Sequence, residues 1–489
     1  MAKKIILYLS LTMRKMTKEE LEDLNSLEYH DEKREISVSG RQTNEAPVKY
    51  LLKKDPEISE IICILSEEVR EGTFSYFEQM LKEEGYEVRC IPVNFDKTMT
   101  FDRDVLPKIV GKISREDEIY LDLTGGFRNS IMHLLIVCRA LAYNGTHLVQ
   151  AVYGNFDSRT IEDVTQTLEL FDLIAGMQEI TSFGNVRTLK AYYKPRIETQ
   201  PEKYALIKDM IQAAEDLFET IIFCRVQKIN GKMTKFNEIL EKIKIDQTTD
   251  PVFNALFPAF RQIFGRDKKL SIKGVIRWCL KSDMIQQALT IYTEKIPAEI
   301  FKPSMGLFTQ KAEMPEKLRV KKEYEDEDMK LFYEDFLLLS KKSELYPVNQ
   351  HQREKILEYA EKNKEKILKG EYLEILRQKI PENDILQNRN KKTGKTARDR
   401  IHTIENMEEA IENSGYKLKC TIEQIQAICR DYLYIKLLRN MVNHSNVVSS
   451  QEDIVEYLKE KGYMSPETIT IDGIKEIMES ALRHIELKS

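Results

Sequence analysis

Arg439 and His444 close the segment Arg439-Asn440-Met441-Val442-Asn443-His444. A guanidinium, an imidazole and two carboxamides in so short a run suit the cleavage of a phosphodiester. An imidazole can give or take a proton near neutral pH. A guanidinium can stabilise charge that builds on phosphoryl oxygens. Asn440 and Asn443 can orient the phosphate or the imidazole. On RNA the nucleophile would be the neighbouring 2′-hydroxyl, and the products a 2′,3′-cyclic phosphate and a free 5′-hydroxyl. That chemistry needs no metal, and no carboxylate cluster lies near the motif. Arg-x4-His alone has low specificity. On a helix, residues five apart differ by about 140° in direction, so one copy does not aim both groups at one atom. Two copies meeting at an interface would.

A second set lies far upstream, in Asp122-Leu123-Thr124-Gly125-Gly126-Phe127-Arg128-Asn129. Gly125 and Gly126 permit a tight turn and close backbone approach to a ligand. The N–H groups that open the next helix favour an anion. Thr124 adds a hydroxyl, and Arg128 a forked donor for phosphate. Ser10 and Thr12, just after the first apolar run, would share the rim with Thr124 if the strands are parallel. A plain turn or cap is the competing reading for each.

The elements that must hold these groups follow from the apolar pattern. Runs at 4–10, 60–65, 87–93, 118–123 and 146–153 read as strands, several apolar throughout as strands buried on both faces are. Helical patterns separate them at 45–54, 73–84, 102–113 and 128–143. Thr43 and Asn44 look like an N-cap, with Pro47 in the first turn. Gly85 and Gly145 suit helix ends. The alternation implies a doubly wound, mostly parallel sheet, with ligands outside the carboxyl ends of its strands. From about residue 201 the pattern turns helical: 203–223, 237–245, 271–280, 284–292, 353–368, 422–443, 453–461 and 474–485. Thr421-x-x-Gln424 reads as a capping box for the helix that carries Arg439. Residues 311–400 are strongly polar and read as a charged helical insertion. The expected organisation is an α/β domain at 1–185, a linker at 186–200, and an all-α domain at 201–489 that includes the insertion.

The chain has 489 residues, 42% of them hydrophobic and 32% charged, with a net charge of −5. Any contact with RNA should therefore be local, because a protein with a broad nucleic-acid face is usually basic. The seven cysteines are scattered, without zinc spacing, and read as reduced and buried. No apolar run is long enough for a membrane span, and the expected location is the cytoplasm. His133 falls within an apolar helix and should be packed. His30, His351, His402 and His484 lie in polar surroundings and should be at the surface.

Asp122-x-Thr124-Gly125-Gly126 resembles the Asp-x-Thr-His/Gly-Gly signature of CRISPR-associated Rossmann-fold (CARF) domains in Csx1/Csm6-type effectors. Gly125 stands where many relatives have His. Gln42-Thr43-Asn44-Glu45-Ala46-Pro47 and Phe171-Asp172-Leu173-Ile174 with Phe183-Gly184 fit the same likeness, which covers roughly residues 1–185. Downstream, Arg439-Asn440 with His444 in a helical setting resembles the HEPN ribonuclease domain. Trp278–Leu280 through Glu294 to Pro297 looks like a helix pair of these effectors; we assign it no catalytic role. The resemblance implies a homodimeric endoribonuclease of type III CRISPR defence that cleaves single-stranded RNA without a metal. A cyclic oligoadenylate, bound across two CARF domains by the Ser10–Thr12 and Thr124–Arg128 loops, would be the activating ligand. Two alternatives stay open: a ligand-sensing regulator without catalysis, and a CARF domain that degrades its own ligand.

Overall fold

A computed structural model describes residues 2–10, 17–70, 72–126, 129–248, 250–264, 269–300, 308–310, 401, 404–408, 416–444 and 452–486. The expected insertion at 311–400 lies outside the described residues. The chain divides into two compact units, Met1–Ile174 and Ala175–Ser489.

The first unit is built on eight strands: β1 (Lys3–Tyr8), β2 (Leu27–Asp31), β3 (Ser37–Gly40), β4 (Ile58–Leu65), β5 (Arg89–Asn94), β6 (Glu118–Asp122), β7 (His147–Asn155) and β8 (Thr160–Asp163). They lie in the order β3-β2-β8-β7-β6-β1-β4-β5. Neighbours from β7 to β5 are all parallel. β8 runs antiparallel to β7, and β3 antiparallel to β2. The sheet is thus mixed: a doubly wound parallel centre with a short, partly antiparallel extension. Strand order reverses at β1, which pairs with β4 on one side and β6 on the other. The crevice at such a reversal is where ligands bind in sheets of this kind.

Alternation along β1 fixes the layers. Ile5 and Leu7 face one core with Ile61, Cys63, Leu51 and Phe77. Ile6 and Tyr8 face another with Ile62, Leu121, Leu134 and Val137. Ile5, Ile6 and Leu7 are fully buried, as a period of two with helices on both faces requires. The helices are α1 (Lys18–Glu22), α2 (Glu45–Lys54), α3 (Gly72–Glu83), α4 (Leu106–Val110), α5 (Ser130–Tyr143) and α6 (Thr165–Phe183). A π-helical turn, Phe101–Val105, leads into α4. α2 and α3 supply the first core, α4 and α5 the second.

The second unit is mostly helical: α7 (Arg187–Thr199), α8 (Ala205–Ile222), α9 (Ile229–Asp246), α10 (Pro251–Ile263), α11 (Ile272–Lys281), α12 (Ile285–Ile300), α13 (Ile422–His444), α14 (Glu452–Glu460) and α15 (Ile471–Ile485). One short antiparallel pair joins β9 (Phe308–Gln310) to β10 (Tyr416–Leu418). The stretch 186–200, read from sequence as a linker, is helix α7. Phe218, Phe236, Phe264 and Trp278 gather in one aromatic cluster. The Trp278 indole N–H donates to the Thr181 carbonyl at 2.8 Å. Asn237 exchanges two hydrogen bonds with the Leu270 backbone, which fixes the approach to α11. Among the described residues, no helix is long and apolar enough to cross a membrane.

Candidate functional sites

At the strand reversal the structure brings Ser10 and Thr124 to neighbouring strand ends, and a buried carboxylate ties them together. Asp122 is fully buried. Its oxygens accept the Thr124 N–H at 2.9 Å and the Asn44 amide at 2.7 Å. Asn44 in turn accepts the Ser10 N–H at 3.0 Å. Gln42 donates to the Ser10 carbonyl at 2.7 Å. The Thr124 hydroxyl accepts the Gly154 N–H at 2.7 Å, which adds the end of β7. Burial pushes the Asp122 carboxyl up to about 6, although the Thr124 and Asn44 donors pull the other way.

Asn44 occupies the cap position of α2 but makes no side-chain cap bond. The sequence pattern identifies the position, and the amide serves a longer-range role: it bridges two strand ends. Glu45 takes over locally, accepting the N–H groups of Arg41 and Gln42. Its other oxygen pairs with the buried Lys49 at 2.9 Å.

Both glycines have a steric reason. A Cβ on Gly125 would lie 2.3 Å from the Tyr8 carbonyl oxygen and 2.5 Å from the Asn44 amide. Gly126 has φ +97°, where a side chain is strained. Close packing of this loop on β1 explains why residue 125 has no side chain. Thr12 and Arg128, expected at the same rim, lie outside the described residues. Asn129 precedes α5 and makes no side-chain cap bond. Beside the loop the Tyr8 hydroxyl meets His133 Nδ1 at 2.7 Å. The His133 ring stacks on Phe101 at 4.0 Å, and burial lowers its pKa. α5 leaves Met132, Ile136 and Tyr143 exposed, the last by 92%. At 100° per residue these three share one face.

The second site lies on α13. Thr421 opens the helix by accepting the Gln424 N–H at 3.2 Å. Only half of the expected capping box is seen, because the Gln424 amide donates to the His484 carbonyl instead. Tyr432, Leu433, Tyr434 and Ile435 are buried, and Leu437 and Leu438 continue the packed stretch. Arg439 follows, and its Nη1 donates to Glu294 Oε1 on α12 at 2.7 Å. The two side chains are 25% and 20% exposed, so this pair is partly shielded from water. Asn440 is half-buried. Asn443 and His444 complete the helix, but their side chains lie outside the described residues.

Glu294 is the residue that sequence reasoning passed over. It lay inside a quoted helix pair, 145 positions from Arg439, and nothing local links the two. His484 keeps its side chain 41% exposed, as its polar surroundings imply. Its Nδ1 meets the buried Asp431 carboxylate at 2.7 Å, a partner that local sequence does not reveal. Tyr463 donates to the other Asp431 oxygen at 2.6 Å. The hydrogen bond to Asp431 raises the His484 pKa, against burial and the charges of Arg483 and Arg430. His351 and His402 lie outside the described residues.

Fold and sites define a two-unit protein: a doubly wound α/β unit with a buried polar network at its strand reversal, and a helical unit with a paired arginine near a helix end. No family profile matches the chain. It is similar to the CRISPR-associated protein MJ1674 of Methanocaldococcus jannaschii, 24% identical over 137 residues. The match covers 26% of this chain and 22% of that protein.

Proposed function

We propose that the protein is a cyclic-oligoadenylate-activated, metal-independent endoribonuclease of CRISPR-linked defence, of the CARF–HEPN type. The observation that carries this reading is the placement of Arg439. It sits near the end of a long, well-packed helix whose last residue is His444, and a carboxylate on α12 holds it. The likeness to a CRISPR-associated protein and the hydrogen-bonded strand ends at Ser10, Thr124 and Asp122 support the same reading.

In this mechanism two copies of α13 meet around one strand of RNA. The 2′-oxygen attacks the adjacent phosphorus, and the bond from phosphorus to the 5′-oxygen breaks. The proton of the 2′-hydroxyl passes to a base, and one His444 imidazole protonates the departing 5′-oxygen. Arg439 stabilises the charge on the non-bridging oxygens, while Asn440 and Asn443 orient the phosphate. Glu294 keeps the guanidinium in a fixed place, which limits the freedom lost when RNA binds.

The exposed Met132, Ile136 and Tyr143 face of α5 is the seam on which we place the homodimer. A ring ligand would cross it, contacting Ser10, Thr12, Thr124, Gly125, Gly126 and Arg128 from each copy. Its control over cleavage requires that it bind the active arrangement more tightly than the resting one.

A non-catalytic ligand sensor is the second reading, favoured by one observation: Arg439 already has a carboxylate partner, as a purely structural arginine would. An RNA-cleavage assay in EDTA, with cyclic tri-, tetra- and hexa-adenylate, separates the two. Ligand-dependent cleavage that vanishes in Arg439→Ala supports the nuclease. Ligand binding without any cleavage supports the sensor.

A further inference from the structure

Where α8 ends, the chain leaves an aromatic ring in water near Arg439. The buried stripe of α8 runs through Ala214, Leu217, Phe218 and Ile221. Phe223 falls about 140° from Phe218 around the helix axis and misses that stripe. It is 62% exposed. The turn that follows is closed by two hydrogen bonds: the Cys224 N–H donates to the Ile221 carbonyl at 3.0 Å, and the Arg225 N–H to the Thr220 carbonyl at 2.9 Å. Such a pair ends a helix on a left-handed residue, usually glycine. Here that residue is Cys224, with φ +49°. Its side chain anchors the turn on α12. Burial pushes the Cys224 thiol up, while a hydrogen bond with Thr290 and the nearby charge of Arg439 pull it down. The Gln287 amide, also on α12, donates to the Ile222 carbonyl at 3.4 Å. Gln287, Thr290 and Glu294 share one face of that helix, and Glu294 holds Arg439 at 2.7 Å. The Ile222–Arg225 turn and Arg439 therefore border one strip of α12, two turns or about 10 Å long.

The chemistry of the turn restricts what meets it. The Arg225 guanidinium lies over the Phe223 ring, 4.9 Å from its centroid, and Arg225 is itself exposed. An exposed aromatic ring beside a guanidinium suits a nucleobase, because every base offers a π face. The cation also stands where the phosphates of the same strand would pass. A double helix keeps its base faces stacked inside, so the strand must be single. A net charge of −5 leaves RNA binding to local groups of this kind. The rival occupant of an exposed ring is a second copy of the chain. A guanidinium stacked on the ring, with Arg439 along the same strip, favours a phosphate-bearing strand instead.

We propose that Phe223, with Arg225, is the platform on which a base of single-stranded RNA stacks next to the phosphate held at Arg439. The inference rests on the nuclease reading, which makes RNA the molecule that meets Arg439. Phe223 sets affinity for the strand and takes no part in proton transfer. RNA methylated at its 2′-oxygens cannot attack its own phosphates, so its binding to the full chain is read by fluorescence anisotropy apart from cleavage, with and without the cyclic oligoadenylates. Phe223→Ala should weaken that binding at least about fivefold, with the melting temperature unchanged. Phe223→Leu should weaken it alike, and Phe223→Trp should bind as the parent does or more tightly. An abasic oligomer of the same length should bind parent and Phe223→Ala equally. No binding by the parent, a Phe223→Leu chain that binds like the parent, or a difference that survives on the abasic oligomer would each overturn the proposal. So would a lower molar mass for Phe223→Ala, which would give the ring to a contact between copies. If binding follows the expected pattern while the parent leaves unmodified RNA uncut, the nuclease reading fails and the platform stands. If the parent cuts RNA and Phe223→Ala binds it equally well, the platform alone fails.

Discussion

The rim of the α/β unit and the end of α13 are built on opposite plans. At the rim, three strand ends and a helix start are tied into one network around a fully buried carboxylate, and backbone groups take part in most of its bonds. At α13, a single long side chain reaches a carboxylate on another helix across a half-shielded surface. The rim is fixed by packing and hydrogen bonds within the chain. Near the helix end, Arg439 is held by an ion pair to Glu294 that a phosphate could compete for. A rim locked by packing should fail by unfolding. The cleavage we propose at Arg439 should fail without its cation.

The largest effect expected from this contrast is on cleavage. Arg439→Ala and His444→Ala should each lower RNA cleavage at least about 100-fold, with the melting temperature nearly unchanged and ring-ligand affinity retained. Steady-state cleavage beside a thermal scan checks both halves. Gly125→Ala should behave in the reverse way. Its Cβ would press on the Tyr8 carbonyl, and overpacking of that kind costs roughly 1–3 kcal/mol. Denaturant unfolding should show that loss, and ligand binding should weaken with it. If Gly125→Ala proves as stable as the parent, the rim is softer than its packing implies.

Glu294→Gln sharpens the other side. It leaves Arg439 charged but loosens its position, so kcat should fall about tenfold while KM for RNA changes little. A rise in cleavage instead would mean that Glu294 restrains Arg439 from its substrate.

Two titrations give smaller effects of known sign. The Asp122 carboxyl is raised from 3.8 to about 6 on folding. The folded state therefore holds its proton more tightly, and this contribution to stability is full below the unfolded value. It is lost as pH rises toward 6, by up to about 3 kcal/mol. Comparing urea melts of Asp122→Asn with the parent across that range should isolate the slope. For His484 the value is also raised. Its contribution is complete below the unfolded value of 6.5 and is lost as pH climbs through the folded value. His484→Gln should resemble the parent at alkaline pH and be less stable under mildly acidic conditions.

Much of the architecture is legible from residue order. β1, β4 and β6 are buried on both faces over most of their length, and their apolar runs announce them; β5 and β7 keep a shorter buried stretch that still reads as a strand. β2, β3 and β8 escaped notice because they form a short extension with polar, partly exposed sequences such as Leu27-Glu28-Tyr29-His30-Asp31. α10 was missed although Asp250 caps it in the ordinary way, accepting the Val252 and Phe253 N–H groups. Pro251 at its first turn and Pro258 within it make the segment look like a loop. Both site arginine and site glycines stand out in sequence, because their types are unusual for their places. Their partners do not. Asn44 reads as a cap until Asp122, 78 positions away, is folded beside it. Glu294 and Asp431 gain their meaning in the same manner, through contacts that no local spacing encodes.

The proposed cleavage rests most heavily on the imidazole at position 444. Purified full-length protein is given single-stranded RNA and a cyclic oligoadenylate in excess EDTA, and the 3′ ends of the fragments are analysed. The parent chain should release 2′,3′-cyclic phosphates only when the ring is present, and His444→Ala should release none. Undiminished cleavage by His444→Ala under the same conditions would contradict it.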